Sequence, residues 1–349
     1  MKKIFVFLFI LILPLKVLAI ETSASSAILM DTDTKRIIYS KNINDQRSVA
    51  SISKIMTAVL AIESGKLDEV VTIGDEIDKS YGSGIYIEKG EELTLRDLVY
   101  GLMLRSGNDA SYAIANFVDG DNFVERMNEK AKEIGMVNTV FNNPNGLDEE
   151  AGNYSTAYDM AILTSYATKL DEYQKIVGTK QHVVKTNKKT YVWINKNKLL
   201  FSCDYITGGK TGFTRKAKRT LVTTASRDNL NLVVVTLNDG NDFADHQKLF
   251  EYGFENYYRY RLLTKGDLSI HDKIYYGKYN LTLNNDYDYT LQNNDKVYLN
   301  FELSESPSEG KVGSAKVFVN NKIVHEEDIY ATKIEKKKSS IWERLKKIW

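Results

Sequence analysis

The sequence predicts an α+β fold, with a large mixed domain followed by a small all-β domain. Two apolar, strand-like runs stand at opposite ends of the large domain, Ala27–Met30 near its start and Leu230–Leu237 near its end, with helical periodicity between them. That order suggests one sheet completed by both ends of the chain. Beyond about Lys265 the residue pattern changes to short alternating runs rich in Tyr, Asn, Thr and Val. This pattern is typical of a separate β domain.

The elements of the large domain follow in chain order. The run Ala27–Met30, the turn residues Asp31–Lys35 and the strand pattern Arg36–Tyr39 predict a β-hairpin. From Ser51 onwards apolar residues recur every three or four positions until Gly65, which predicts a helix that begins at Ser51. Further helices are predicted at Leu95–Leu104, Asp109–Phe117, Asn122–Glu133 and Ala157–Ala167, and buried strands at Thr220–Ala225 and Leu230–Leu237.

The length of 349 residues allows two domains. We place the large domain at residues 20–262, the small β-rich domain at 265–330 and a distinct terminal segment at 331–349. Within the small domain, Asn320-Asn321 stands between two strand patterns. Because Asn tolerates positive φ, a tight hairpin turn is predicted there.

The composition excludes several classes of function. The 47 Lys and Arg residues nearly balance the 46 Asp and Glu residues, so no nucleic-acid partner is predicted. Cys203 is the single cysteine, which rules out an internal disulfide and a thiolate metal cluster. The four histidines lack the short spacings of metal sites. The sequence therefore predicts no metal and no cofactor.

The first nineteen residues resemble a secretory signal. Lys2 and Lys3 form a basic start, Ile4–Leu13 is an unbroken apolar run, and Val17-Leu18-Ala19 suits cleavage after a small residue. The rival interpretation is an uncleaved membrane anchor, but the apolar run is short for a bilayer span, which needs about 20 residues. We therefore expect residues 1–19 to be a signal peptide and the protein to be exported.

The terminal segment 331–349 is basic and amphipathic. It carries seven Lys or Arg residues and two Glu residues. Its apolar residues fall on one face of a helix: Ile341, Trp342, Leu345, Ile348 and Trp349. This pattern predicts a helix that binds an anionic membrane surface. The alternative is a solvated, partly disordered tail.

The candidate nucleophile is Ser51. Ser51-Ile52-Ser53-Lys54 places a hydroxyl and an amine three residues apart, one helical turn along the same face. A serine hydroxyl becomes a nucleophile when a base takes its proton, and a lysine whose pKa is lowered by burial can be that base. The motif alone is weak, because a capping serine beside a surface lysine has the same pattern.

Two further motifs stand downstream. Ser106-Gly107-Asn108 falls where one predicted helix ends and the next begins, so a hydroxyl and an amide are displayed together, although a helix cap and turn would look the same. Gly208–Gly212, with the sequence Gly-Gly-Lys-Thr-Gly, precedes a predicted strand. Its glycines would let a strand edge approach a substrate backbone. Taken alone, this segment would be a loop.

In this order, the three motifs resemble the boxes Ser-x-x-Lys, Ser-Gly-Asn and Lys-Thr-Gly of the penicillin-binding D,D-carboxypeptidases of serine peptidase family S11. The resemblance runs from about Ala24 to Phe254. It includes the following segments: Ile28–Asp31, Arg47–Thr57, Leu104–Ala110, Asn143–Leu147 and Asn195–Leu199. Two positions depart from the family pattern, namely Val49, where proline is common, and Ala217-Lys218, where Ala-Gly is common.

The resemblance implies a fold similar to β-lactamases and penicillin-binding transpeptidases, an antiparallel sheet with helices on both sides, followed by a small β domain and an amphipathic anchor. It also implies a function in cell-wall biogenesis, hydrolysis of the terminal D-Ala-D-Ala bond of peptidoglycan stem peptides, with β-lactam antibiotics as inhibitors.

The resemblance further implies roles for individual residues. Ser51 would form the acyl-enzyme, Lys54 would accept its proton, and Ser106 would pass a proton to the leaving amine. The other predicted site residues would bind substrate: Asn108 holds a peptide amide, Lys210 and Thr211 bind the terminal carboxylate, and Gly212 and Phe213 continue the binding strand. The backbone N–H groups of Ser51 and Phe213 would form the oxyanion hole.

Two alternatives remain open at this stage. A class A-like β-lactamase shares the boxes but needs a glutamate that activates the deacylating water, and the region after Asn108 shows no convincing Glu-x-x-Leu-Asn segment. A catalytically silent peptidoglycan-binding scaffold would keep the pocket only for recognition. Such a binder has no need of the intact pair Ser51 and Lys54.

Overall fold

The computed structural model describes residues 20–148, 151–268 and 275–334. The predicted signal peptide, residues 1–19, and residues 335–349 of the predicted anchor lie outside the described residues.

The strands of the large domain are β1 (Ser26–Asp31), β2 (Ile37–Lys41), β3 (Arg47–Ser48), β4 (Val70–Thr72), β5 (Glu92–Thr94), β6 (Tyr154–Ser155), β7 (Gln181–Lys185), β8 (Thr190–Ile194), β9 (Ile206–Thr214), β10 (Lys218–Arg227) and β11 (Leu230–Leu237).

The central element of the large domain is a five-stranded antiparallel sheet in the order β2-β1-β11-β10-β9. Strand β1, from the start of the chain, pairs with β11 in a register that sets Leu29 opposite Val234. This pairing confirms that both ends of the domain complete one sheet. Strand β9 lies at the sheet's edge, so one of its sides is open.

The α-helices are α1 (Lys54–Glu63), α2 (Leu95–Tyr100), α3 (Asn108–Val118), α4 (Phe123–Glu133), α5 (Ala157–Ala167), α6 (Asp171–Val177), α7 (Leu199–Ser202) and α8 (Asp242–Asn256). They cover both faces of the sheet. Ile28 and Met30 of β1 join the core built with α1 and α5, whereas Leu29 faces Leu249 and Phe250 of α8. Burial on both faces explains why β1 and β11 are continuous apolar runs.

Two helices differ from the sequence prediction. The helix predicted to begin at Ser51 is preceded by a 3₁₀ turn, Ala50–Ser53, so α1 itself begins at Lys54. The segment predicted as one helix over Leu95–Leu104 changes after Tyr100 into a π-helical turn, Gly101–Arg105, which ends at Ser106 in a left-handed conformation. Ser51 lies within the first turn and Ser106 directly follows the second, and π-helical turns are frequent at functional sites.

Beyond α8 the chain continues with β12 (Tyr257–Leu263), β13 (Gly266–Asp267), β14 (Tyr279–Leu283), β15 (Tyr287–Gln292), β16 (Val297–Leu303), β17 (Gly310–Val319) and β18 (Lys322–Lys333). Five of these strands form one sheet in the order β13-β14-β18-β17-β16, and β12 pairs with β15. Asn320 and Asn321, between β17 and β18, have φ values of 50° and 66°. Positive φ at both positions is the geometry of a tight hairpin turn, as predicted.

One arginine joins the hairpin of β1 and β2 to the small domain. Arg36 forms an ion pair with Asp295, 2.6 Å between Nη1 and Oδ2, and only 13% and 3% of these side chains are exposed. Its guanidinium lies 5.3 Å and 5.6 Å from the ring centroids of Tyr257 and Tyr289. The two domains are therefore joined by a desolvated polar contact.

In the part of the chain that the structure describes, no helix has the length and apolar character needed to cross a bilayer.

Candidate active site

Ser51 lies in a strained turn that a glycine from another segment supports. The residue before it, Ala50, has a φ of 49°, a left-handed value that non-glycine residues rarely adopt. Gly146, with a φ of 83°, packs directly on this turn, and a Cβ atom there would collide with the carbonyl group of Ala50. The Asn143–Leu147 segment therefore shapes the backbone that presents the nucleophile.

Lys54 is completely buried and makes three polar contacts. Its Nζ lies 3.2 Å from Ser51 Oγ and donates to Asn108 Oδ1 at 2.7 Å and to the carbonyl oxygen of Asn145. The Asn108 orientation is defined because Asn108 Nδ2 donates to the Tyr81 carbonyl at 2.6 Å. A neutral amine has two N–H donors and one lone pair. Since two of its partners are acceptors only, the lone pair points at the Ser51 hydroxyl.

The pKa of Lys54 is lowered to about 7, mainly by burial, with a smaller contribution from the positive charge of Lys196 and an opposing one from Asp109. A large fraction of this amine is thus neutral near neutral pH, where an exposed lysine would be protonated. A neutral amine whose lone pair faces a hydroxyl can act as a general base.

Asn108 and Asp109 connect the second motif to a neighbouring loop. The backbone N–H of Asn108 donates to the Ser83 carbonyl at 2.8 Å, and the Asp109 carboxylate accepts from the backbone N–H groups of Ile85 and Tyr86 at 3.0 Å and 2.7 Å. Both ends of the Asn108 amide are already engaged, so in the resting site Asn108 positions Lys54.

Ser106, which lines the cleft, is in direct contact with the buried amine of Lys210. Ser106, with a φ of 64°, accepts a hydrogen bond from Lys210 Nζ at 3.0 Å, and the same Nζ donates to the Thr211 carbonyl at 2.6 Å. Lys210 is 1% exposed. Burial, and then the charges of Lys54 and Lys196, hold its pKa well below the ordinary value. Lys210 therefore contacts the second motif through a buried hydrogen bond and is not part of the cleft lining.

The third motif lies on the open edge strand β9. A Cβ atom at Gly212 would lie 3.0 Å from the backbone nitrogen of Ser51, tighter than ordinary contacts, so the glycine lets the strand approach the nucleophile closely. The neighbouring Phe213 is 63% exposed at the mouth of the cleft. The predicted oxyanion donors, the N–H groups of Ser51 and Phe213, thus belong to two backbones that approach each other beside the nucleophile.

These residues surround a cleft of about 440 Å³. Its lining includes five of the predicted site residues, namely Ser51, Ser106, Thr211, Gly212 and Phe213, and six others: Ser83, Lys196, Lys198, Arg219, Asp242 and Phe243. A cavity of similar volume, about 450 Å³, lies beside Glu63 and Arg126 but contains none of the motif residues. The volume alone would not have identified the site.

Asn195–Leu199 is one of the segments that resemble the family, and the structure explains its pattern. Asn195 and Asn197 point inwards, where Asn195 Nδ2 donates to the Thr179 carbonyl at 3.0 Å and Asn197 Nδ2 to the Gly208 carbonyl at 3.2 Å. The alternating Lys196 and Lys198 are exposed and line the cleft. The alternation of Asn and Lys was the signal that could have revealed this cationic wall.

Arg219 and Asp242 also line the cleft, and the sequence motifs did not predict them. Asp242 accepts two hydrogen bonds from Arg219, at 3.0 Å from Nε and 2.7 Å from Nη2. Because this carboxylate is already paired, the charge that the lining presents to a ligand is positive. Among residues 20–148, 151–268 and 275–334, no group of three or more His, Cys, Asp or Glu side chains could hold a metal ion.

Comparison with known proteins agrees with this geometry. The family model described as D-alanyl-D-alanine carboxypeptidase matches residues 15–241. D-alanyl-D-alanine carboxypeptidase DacF of Bacillus subtilis is 36% identical over 266 residues, which are 73% of this chain and 68% of the relative. DacA of Haemophilus influenzae is 31% identical over 277 residues, 74% of this chain and 69% of the relative.

Solved structures extend the similarity to the fold. Penicillin binding protein 5 from Haemophilus influenzae superposes with a TM-score of 0.77 at 26% identity, over 90% of this chain and 97% of that one. A mutant of the Streptomyces K15 DD-transpeptidase superposes with a TM-score of 0.64 at 31% identity, over 67% of this chain and 99% of that one. The chain therefore belongs to the D-alanyl-D-alanine carboxypeptidase family, as a serine-type, penicillin-binding hydrolase.

Proposed function

We propose that this protein releases the terminal D-alanine of peptidoglycan stem peptides through an acyl-enzyme on Ser51. The observation that carries the proposal is the position of Lys54, a buried amine with a pKa lowered to about 7, whose Nζ lies 3.2 Å from Ser51 Oγ. A nucleophile and its base within hydrogen-bond distance are what acyl transfer requires.

In the acylation step, Ser51 Oγ attacks the carbonyl carbon between the two terminal D-alanines, and its proton passes to Lys54. The backbone N–H groups of Ser51 and Phe213 stabilise the negative charge on the carbonyl oxygen. When the tetrahedral intermediate collapses, the C–N bond breaks, and a proton delivered through Ser106 reaches the leaving amine. D-Alanine departs, and water later hydrolyses the Ser51 ester.

The remaining site residues hold the peptide in this scheme. The substrate backbone lies along the open edge of β9, with Gly212 allowing the close approach. Thr211 and Lys210 bind the terminal carboxylate; Thr211 lines the cleft, and the buried Lys210 amine donates to the Thr211 carbonyl beside it. Asn108, which contacts Lys54 in the resting site, donates to a peptide amide after substrate enters.

β-Lactams are expected to acylate Ser51, because their strained amide occupies the place of the scissile bond. The relatives favour neither alternative, the class A-like β-lactamase or the silent peptidoglycan-binding scaffold.

The proposal also covers location. We infer export through residues 1–19 and peripheral attachment to the outer face of the cytoplasmic membrane through residues 331–349, supported by the basic, amphipathic sequence of that segment. A chain ending at Tyr330 should stay in solution, whereas the mature full-length chain should pellet with anionic vesicles and be released by high salt. Equal sedimentation of the two chains would contradict the anchor.

The catalytic proposal is tested by the intact mass of the mature protein after treatment with a fluorescent penicillin, beside Ser51→Ala. Release of D-alanine from a diacyl-Lys-D-Ala-D-Ala peptide is followed in parallel. We expect one penicilloyl adduct and D-alanine release with the wild type and neither with Ser51→Ala. If the wild type forms no adduct and releases no D-alanine, the protein is a scaffold, and rapid turnover of penicillin would instead indicate a β-lactamase.

A further inference from the structure

One carboxylate joins the segment of the nucleophile to the end of the open edge strand. Asp148 accepts a hydrogen bond from Ser48 Oγ at 2.6 Å through one oxygen, and from the Thr214 hydroxyl through the other. Ser48 stands three residues before Ser51. Thr214 directly follows Phe213 and is the last residue of β9. This pair of hydrogen bonds, the carboxylate bridge, therefore connects the two segments that carry the proposed oxyanion donors.

Both ends of the carboxylate bridge are fixed by further contacts. The Thr214 hydroxyl donates to Asp148 and accepts from the backbone N–H of Ala217 at 3.0 Å, which closes the turn after β9. Ser48 is 7% exposed, and β3 pairs it with Tyr154 of β6. A displacement of the carboxylate would therefore move the end of β9 and its turn relative to the nucleophile segment.

Asp148 extends from a braced loop. Asn143 Nδ2 donates to the Leu147 carbonyl at 3.0 Å, and the Leu147 N–H donates to Asn145 Oδ1 at 2.8 Å. Gly152 leaves room for the carboxylate, because a Cβ atom there would lie 2.6 Å from Asp148 Oδ1. A side chain whose support is held in this way can keep two other segments at a defined separation.

Phe213 lies between two connections to the nucleophile segment. Strand β9 is the last strand of its sheet, so β10 supports it from one side only. Thr220 of β10 stands opposite Gly212 and donates to the Val49 carbonyl at 3.0 Å. That bond acts one residue before Phe213, and the carboxylate bridge acts one residue after it, at Thr214. The Phe213 N–H is thus held from both sides along the chain.

We propose that Asp148 is a positioning residue for the oxyanion hole, and that the carboxylate bridge sets the separation of the Ser51 and Phe213 N–H groups. Asp148 does not contact the substrate and acts through the two backbones. Oxyanion donors must lie about 2.7–3.1 Å from the oxygen on which charge develops in the transition state. Loss of the bridge should therefore slow the chemical step and leave substrate binding unchanged. The inference rests on the proposed acyl transfer at Ser51.

The first test removes the hydroxyl of Thr214. Thr214→Val keeps the shape of the side chain and removes its bond to Asp148, whereas Thr214→Ser keeps the hydroxyl. With diacyl-Lys-D-Ala-D-Ala as substrate, we expect Thr214→Val to lower kcat about 10–100-fold, since loss of a complete oxyanion donor costs about 10²–10³-fold. KM should stay unchanged. Thr214→Ser should restore the wild-type kcat.

A sulfur substitution in the substrate reports on the oxyanion hole itself. In the corresponding thionopeptide, sulfur replaces the scissile carbonyl oxygen, and sulfur is larger and a weaker hydrogen-bond acceptor. The wild type should therefore cleave the oxygen peptide much faster than the sulfur peptide. In Thr214→Val this ratio of kcat/KM values should fall about tenfold, because the displaced donors no longer fit the oxygen. A loss of folded protein would slow both reactions equally and leave the ratio unchanged.

Thr94→Val is the matched control. The Thr94 hydroxyl also donates to a carboxylate, that of Asp97 at 2.6 Å, and also accepts from a backbone N–H three residues later, at 3.1 Å. However, Thr94 caps α2 and bonds to neither oxyanion segment. We expect a lower thermal midpoint for both Thr94→Val and Thr214→Val, and a changed oxygen-to-sulfur ratio only for Thr214→Val.

The other end of the carboxylate bridge gives a second test. Ser48→Ala removes the hydroxyl that donates to Asp148. Because a bridge fails when either end is lost, Ser48→Ala combined with Thr214→Val should lower kcat little more than either change alone. Losses that multiply in the double variant would mean that the two hydroxyls act separately, and would overturn the bridge.

An unchanged oxygen-to-sulfur ratio in Thr214→Val, or an equal change in Thr94→Val, would also overturn the proposal and leave the carboxypeptidase activity standing. If Thr214→Val does not fold, the ratio measured with Ser48→Ala decides the same question. If the wild type releases no D-alanine from the oxygen peptide, the proposed activity is itself wrong and the role of Asp148 falls with it.

Discussion

Lys54 Nζ lies 3.2 Å from Ser51 Oγ, and its other two partners are carbonyl oxygens that can only accept hydrogen bonds. The neutral amine therefore directs its lone pair at the serine. Complete burial in the fold lowers the pKa of Lys54 to about 7, so a large fraction of the amine is neutral near neutral pH.

The acylation rate should follow the neutral fraction of Lys54. Because the neutral amine is the base, the rate of penicillin acylation should rise with pH, reach half its maximum near pH 7 and fall about tenfold per pH unit below it. Stopped-flow acylation between pH 5 and pH 9 measures this profile. A rate independent of pH across this range would mean that Lys54 is not the base.

Replacing Lys54 with methionine should separate catalysis from stability. Lys54→Met keeps an unbranched chain in a fully buried position and removes an amine whose burial is costly. We expect acylation to fall by about 10²–10⁴-fold, the usual contribution of a general base, without a lower thermal midpoint. If Lys54→Met retained wild-type acylation, another group would have to take the Ser51 proton.

Gly146 should be needed for the geometry of the nucleophile. In Gly146→Ala, a Cβ atom would collide with the Ala50 carbonyl, so the turn before Ser51 must shift. Gly135→Ala is the matched control, because Gly135 also has a positive φ, 87°, but open space around it. We expect both variants to lose about 1–2 kcal/mol from the left-handed backbone, and only Gly146→Ala to lose acylation. Equal acylation by the two variants would contradict the role of Gly146.

Lys218, at the turn between β9 and β10, stands where the resemblance implies a glycine, and its φ is 59°. This left-handed value costs a lysine energy that a glycine would not pay. Lys218→Gly should therefore raise the free energy of unfolding by about 1 kcal/mol. Arg215→Gly, in the same turn but without a positive φ, should lower it instead. Denaturant unfolding compares the two, and destabilisation by Lys218→Gly would refute the argument.

The ion pair of Arg36 and Asp295 should stabilise the contact between the domains. Arg36→Ala leaves the Asp295 carboxylate, 3% exposed, without its charge partner, which typically costs about 3–5 kcal/mol for a buried pair. We expect calorimetry to show earlier unfolding of the small domain, while penicillin acylation stays normal. Arg126→Ala removes an exposed pair, 56% and 57% exposed, and should cost less than about 1 kcal/mol. Equal losses would contradict a desolvated interdomain contact.

The sequence by itself determined the elements whose signals are local. Ala157–Ala167 is a helix with the predicted bounds, and the Thr156 side chain directly before it accepts a hydrogen bond from the Asp159 N–H, a local N-cap. Asn320-Asn321 forms the predicted turn, because positive φ is a property of those residues. The order of the three motifs identified the chemistry before any contact was known.

The tertiary structure decided what depends on distant segments. Ser51 lies in a 3₁₀ turn because Gly146, 95 positions later in the chain, packs on it. The lowered pKa of Lys54 follows from its complete burial, and its lone-pair direction from carbonyl groups of Asn108 and Asn145. The alternation of Asn and Lys over residues 195–198 is visible in the sequence, but only the structure places Lys196 and Lys198 in the lining of the cleft. Burial and charge proximity are properties of three-dimensional packing, so a linear pattern cannot contain them.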